Sequence, residues 1–127
     1  MLAHDKALAL SAVETELLRD LRSRLNRPAS DKAAVVLLNG VFQTAPRVGL
    51  EPSDRVWATA DADAFRRAAG QASLTQLRGA VAGLVKLKGQ EKAIVQALAD
   101  GLPQAVLSRR LALAGREPAI DPGVPAS

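Results

Sequence analysis

At 127 residues, with 48% apolar and 24% charged residues, the chain has the size and composition of one globular domain able to bury its own core. It contains no cysteine, which excludes disulfides, thiolate metal sites and cysteine nucleophiles, and no run of about eighteen apolar residues that suits a membrane span. The net charge of +4 is uneven: residues 75–116 hold Arg78, Lys86, Lys88, Lys92, Arg109, Arg110 and Arg116 against Glu91 and Asp100, whereas residues 1–74 are nearly balanced. A basic C-terminal half suits an anionic partner such as nucleic acid, and a solvated helical surface has the same composition.

Ala and Leu dominate, and the aromatics are only Trp57, Phe42 and Phe65. Strand formers are thin, so the expected fold is all-α: a bundle-like domain of five or six helices over residues 1–115, then a flexible proline-rich tail over residues 116–127. Residues 1–9 read as a short leader. They carry Asp5 and no long apolar stretch, which argues against a signal peptide and for a bacterial-type cytoplasmic protein.

Ser11 followed by Glu14 is a capping box for the first helix. Leu10, Val13, Leu17, Leu18, Leu21 and Leu25 recur at helical spacing as one apolar stripe, and Asn26 with Pro28 ends it. Ser30 or Asp31 caps a second helix. Its Ala33–Leu38 run is apolar on every side, which predicts a central position or a face shared with a second copy of the chain. Residues 44–53, with two prolines and a glycine, read as a loop. Ser53 is one start for a third helix carrying Val56, Trp57, Ala60, Ala64, Phe65 and Ala68. Asp61 and Asp63 offer a later start, for a shorter helix over residues 64–69. Ser73 opens a fourth helix with Leu74, Leu77, Val81, Leu84 and Val85 on one face and Gly79 and Gly83 one turn apart.

Residues 87–113 carry the strongest functional signal. Glu91 opens a fifth helix that stops at Asp100-Gly101, where glycine suits the left-handed conformation, and Pro103 suits the first turn of a sixth. Leu87, Glu91, Ile94, Val95, Leu98, Ala99, Gly101, Leu102, Leu107, Ser108 and Leu111 fall in an order that resembles the front of the DNA-binding domain of LuxR/GerE regulators. Sigma-factor region 4 shares much of that pattern. The resemblance implies a helix-turn-helix and a duplex DNA partner. A recognition helix follows in that family. Here Gly115, Arg116, Glu117 and Pro118 follow, and Pro122-Gly123 forbid a continuing helix, so the base-reading element is absent or supplied elsewhere.

Under the DNA reading Arg109 and Arg110 are the best phosphate contacts, with Lys86, Lys88, Lys92 and Arg116 adding to the basic surface. Such contacts give affinity and salt dependence with little base specificity. Catalysis has little to draw on: His4 is the single histidine, and no hydrolase triad, metal-ligand motif or phosphate loop is present. Asp61 and Asp63, two apart on a helix, do not face each other. The expectation is a non-enzymatic protein with no cofactor or metal. It is either a DNA-binding or transcription-regulatory accessory protein, expected as a homodimer, or a protein-interaction module such as a secretion chaperone, antitoxin-like partner or adaptor.

Overall fold

Side-chain caps set where the first helices begin. In the computed structural model, which describes residues 9–54, 56 and 62–115, the Ser11 hydroxyl accepts from the Glu14 amide at 3.1 Å. The Glu14 carboxylate accepts in return from the Ser11 amide at 2.9 Å. This reciprocal capping box starts α1 (Ala12–Leu25). Ser30 caps α2 (Asp31–Thr44) through the Ala33 amide. A single 3-10 turn (Ala45–Val48) and α3 (Ala62–Ala69) follow. A second capping box, Ser73 with Gln76, opens α4 (Leu74–Val85). Two further helices, α5 (Glu91–Ala99) and α6 (Leu102–Leu113), complete the set.

The described residues are therefore all-helical and contain no strand. None of these helices is long and apolar enough to cross a membrane. The α5–α6 connection is the predicted one: Gly101 is left-handed at φ 76°, and Pro103 lies in the first turn of α6. Residues 1–8, 55, 57–61 and 116–127 lie outside the described set, and with them the leader, Trp57, Asp61 and the proline-rich tail.

The arrangement is built around α6. It packs against α1, α3, α4 and α5, and no residue from Leu102 to Leu113 is exposed. The second helix instead packs on α1, α5 and the 3-10 turn. One buried cluster runs from Leu10 through Leu18, Leu38, Leu50, Leu77 and Ile94 to Leu111. Each such leucine contributes about 1.5–3 kcal/mol relative to an exposed one, so the register of each helix follows its leucines.

Two expectations change, and two open alternatives narrow. On α1 the buried line is Leu10, Thr15, Leu18, Leu21 and Leu25, and Val13 is 72% exposed. At about 100° per residue Val13 points some ~140° away from Leu18, too far round to share its face. The Ala33–Leu38 run of α2 is not central: Val36, opposite Leu38, is 68% exposed, which leaves the alternative of a face shared with a second copy. The third helix takes the later start. Ser53 does not cap it; its amide donates to the Arg78 carbonyl at 3.4 Å, and Asp63 pairs with Arg66. The presumed loop after Thr44 holds the 3-10 turn and buries Ala45, Val48 and Leu50.

The Glu14 carboxyl is held below the ordinary carboxylate range, first by the hydrogen bond from the Ser11 amide, then by the Ser11 hydroxyl. A depressed folded pKa means the cap stabilises above the unfolded carboxyl pKa and loses that contribution as pH falls through the lowered value. Ser11→Ala is expected to raise the Glu14 pKa in an NMR titration. It should also cost about 1 kcal/mol at neutral pH by urea unfolding, with a smaller difference from the parent in acid. A second expectation concerns the α5–α6 turn. Gly101→Ala forces a side chain into the left-handed region and should destabilise by about 1 kcal/mol, read as a lower urea midpoint with an unchanged slope.

Candidate functional site

The basic hairpin of α5 and α6 is assembled by the polar side chains of α6, and these turn inward. Gln104 Nε2 donates to the carbonyls of Leu25 at 3.2 Å and Leu98 at 3.0 Å, so one side-chain amide serves the C-terminal ends of α1 and α5. Ser108 Oγ accepts from Arg22 Nη1 at 3.2 Å. Arg109 Nε donates to the Ala72 carbonyl at 2.8 Å, on the linker that enters α4. Arg110 is 1% exposed, and its Nε donates to the Val48 carbonyl at 2.6 Å. Desolvation lowers the Arg110 pKa from the ordinary guanidinium value and the charge of Glu14 opposes that shift, yet a guanidinium keeps its proton in proteins.

This corrects the expectation for Arg110, an interior strut that does not stand on the surface as a phosphate contact; Arg109 is half-buried, with its Nε engaged on a backbone carbonyl. The reason is positional. With neighbours on nearly every side of α6, its arginines reach the 3-10 turn and the α3–α4 linker before they reach solvent. Arg116 lies outside the described residues.

Lys86, Lys88 and Lys92 are exposed, as expected, where α4 turns into α5. Gly89 makes that turn at φ 83° with open space around it. Gln90 closes it by donating its side-chain amide to the Lys86 carbonyl at 3.1 Å instead of capping α5. Beside the turn lies an open cleft of about 480 Å³, lined by Val35, Asn39, Phe42, Gln43, Lys88, Gly89 and Ile94. The four α2 residues recur at spacings of four, three and one and so share one side of the helix. Ile94 is buried, Val35 and Phe42 are half-buried, and Asn39 and Gln43 are exposed. The Lys88 ammonium sits 5.3 Å from the centre of the Phe42 ring, within cation–π range.

The cleft thus has an apolar floor, two carboxamides and one cation, and none of its described lining residues is a carboxylate. Such a lining offers hydrogen bonding from Asn39 and Gln43, apolar contact at Phe42, and charge pairing at Lys88. Of the five described residues expected to contact phosphate, only Lys88 lines it. Asn39, Phe42 and Gln43 were not singled out from the sequence, although their spacing on one α2 face was visible there. Their significance depends on the 86–90 turn lying beside that face, a placement made by the α2–α5 packing.

No protein-family profile, curated protein or solved structure matches this chain. The likeness of residues 87–113 to LuxR/GerE regulators therefore rests on those residues alone.

The interior role of Arg110 has a measurable consequence. Arg110→Met keeps an apolar stem and leaves the Val48 carbonyl without that donor, so it should destabilise by about 2–3 kcal/mol in urea unfolding. Lys88→Ala, at the surface, should stay within about 0.5 kcal/mol of the parent. Equal stability of the Arg110→Met chain overturns the strut assignment.

Proposed function

We propose that this chain is a non-enzymatic protein-interaction module whose docking face is the cleft between α2 and α5. The observation that carries this reading is the cleft: an open apolar floor edged by exposed carboxamides and an ammonium. Val36, on the outer side of α2, extends apolar surface past its rim. An apolar centre with a polar rim is the usual anatomy of a protein interface.

The duplex-DNA reading draws on exposed Lys86, Lys88 and Lys92. Burial of Arg110 weighs against it, because it removes one of the two strongest expected phosphate contacts, and the Arg109 bond to Ala72 engages the Nε of the other. The three exposed lysines by themselves correspond to a slope of log affinity against log salt of about −2.7, a weak grip on duplex backbone.

Two measurements separate these readings. Random-sequence duplex at low salt should run unretarded with micromolar protein. A photo-reactive residue in place of Gln43 should form adducts with protein in cells, where one in place of Arg67 on α3 does not. Retardation that follows the three-contact salt slope, and is abolished by Lys86→Ala, Lys88→Ala and Lys92→Ala together, establishes the duplex reading instead.

A further inference from the structure

Resting on that interaction reading, we infer that the α2–α5 cleft takes a short acidic segment of a partner protein. One apolar side chain of the segment packs against Val35, Phe42 and Ile94, and a neighbouring carboxylate pairs with Lys88. Charge complementarity is the first argument. Lys88 lines the cleft, Lys86 and Lys92 flank it, and no described lining residue is acidic; Glu91 is the single carboxylate on the 86–92 stretch. The Lys88 ammonium is held over the Phe42 ring, so the cation is positioned at the apolar floor and not swung freely into solvent. A carboxylate adjacent to an apolar side chain matches that juxtaposition.

The rim supplies the second argument. Asn39 and Gln43 stand exposed one turn apart, and each carboxamide offers both a donor and an acceptor. That pair suits the amide and carbonyl groups of a polypeptide backbone. Val36, next to Val35 on α2, is also exposed outside the cleft, so a ligand longer than the cleft can gain an apolar contact that a small anion does not.

Two other occupants fit less well. Single-stranded nucleic acid needs several exposed ring faces for stacking, and among the described residues Phe65 is buried and Phe42 is half-buried. A second copy of the chain keeps many of its described acids engaged: Glu16, Asp20, Glu51 and Asp63 each pair with an arginine of their own chain, and Glu14 is engaged by Ser11, which leaves Asp31, Asp54 and Glu91 as the exposed described acids it has to offer.

The test is an NMR titration of the isotope-labelled full chain with three short acetylated, amidated peptides. The first contains leucine flanked by glutamate and aspartate. The second replaces the acids by glutamine and asparagine, and the third replaces leucine by alanine. The first peptide is expected to shift amide resonances of residues 35–43 and 86–94, and each of the other two should bind about tenfold more weakly. Lys88→Glu should weaken the first peptide by about tenfold or more, whereas Arg67→Glu, an equal charge change on α3 away from the cleft, should leave it unaltered.

Equal binding of the acidic and amide peptides at the cleft overturns the acidic partner and leaves the interaction module standing. Random duplex that shifts residues 86–92 when no peptide shifts any residue overturns both. Concentration-dependent shifts of the same cleft amides without peptide, with a dimer in sedimentation, overturn the inference in favour of a second copy.

Discussion

The structure depends on one constraint: the helix enclosed by the others carries polar side chains, and each must find a partner inside. An amide or guanidinium removed from water without a hydrogen bond costs several kcal/mol, enough to disfavour packings that leave its donors unpaired. The donors of Gln104, Arg109 and Arg110 reach backbone carbonyls on other segments and Ser108 meets the Arg22 side chain, while Gln104 Oε1 is buried without a hydrogen-bond partner among the described residues. Their acceptors lie at the end of α1, the end of α5, the 3-10 turn and the linker before α4. The central helix thereby ties down the connections of the bundle as well as its helices. Leucines at Leu107 and Leu111 supply apolar burial, which is non-directional. The polar contacts supply direction and set how α6 is rotated among its neighbours.

That rotation determines what is left at the surface. With the α6 arginines engaged inside, the exposed positive charge of the hairpin moves to its other end, at the turn leading into α5. There the charge lies beside the one side of α2 that carries Asn39, Phe42 and Gln43. A segment that reads as a nucleic-acid grip in one dimension becomes, in three, the scaffold for a cleft formed by different residues. The apolar circumference of α2 is explained in the same way. One side is buried against α1 and α5, a second lines the cleft, and a third, at Val36, stays in water.

Much of the fold was legible because its signals are local. Ser11 with Glu14 and Ser73 with Gln76 announce helix starts within four residues, and Gly101 followed by Pro103 announces a stop and a restart. The misread positions share a cause. Val13 and Val36 are apolar, but a helix buries a stripe, and spacing alone does not say which of two overlapping stripes faces inward. The prolines around the 3-10 turn signal irregular backbone; they carry no information that Val48 and Leu50 are buried there.

The candidate site was less legible. Lys86, Lys88 and Lys92 were recognisable as exposed basic residues, since lysine is rarely buried without a partner. Arg109 and Arg110 were indistinguishable from them in sequence, because a long cationic side chain looks the same whether it meets a phosphate or a buried carbonyl. By itself, the sequence determined helix content, the caps, the α5–α6 turn and the excess of positive charge, all of which follow from neighbours within a few residues. Only the tertiary structure decided which helix lies at the centre, that Arg110 is a strut, and that Phe42 meets Lys88. Those facts join residues some forty to sixty positions apart, and they follow from close packing and hydrogen-bond satisfaction across the whole bundle.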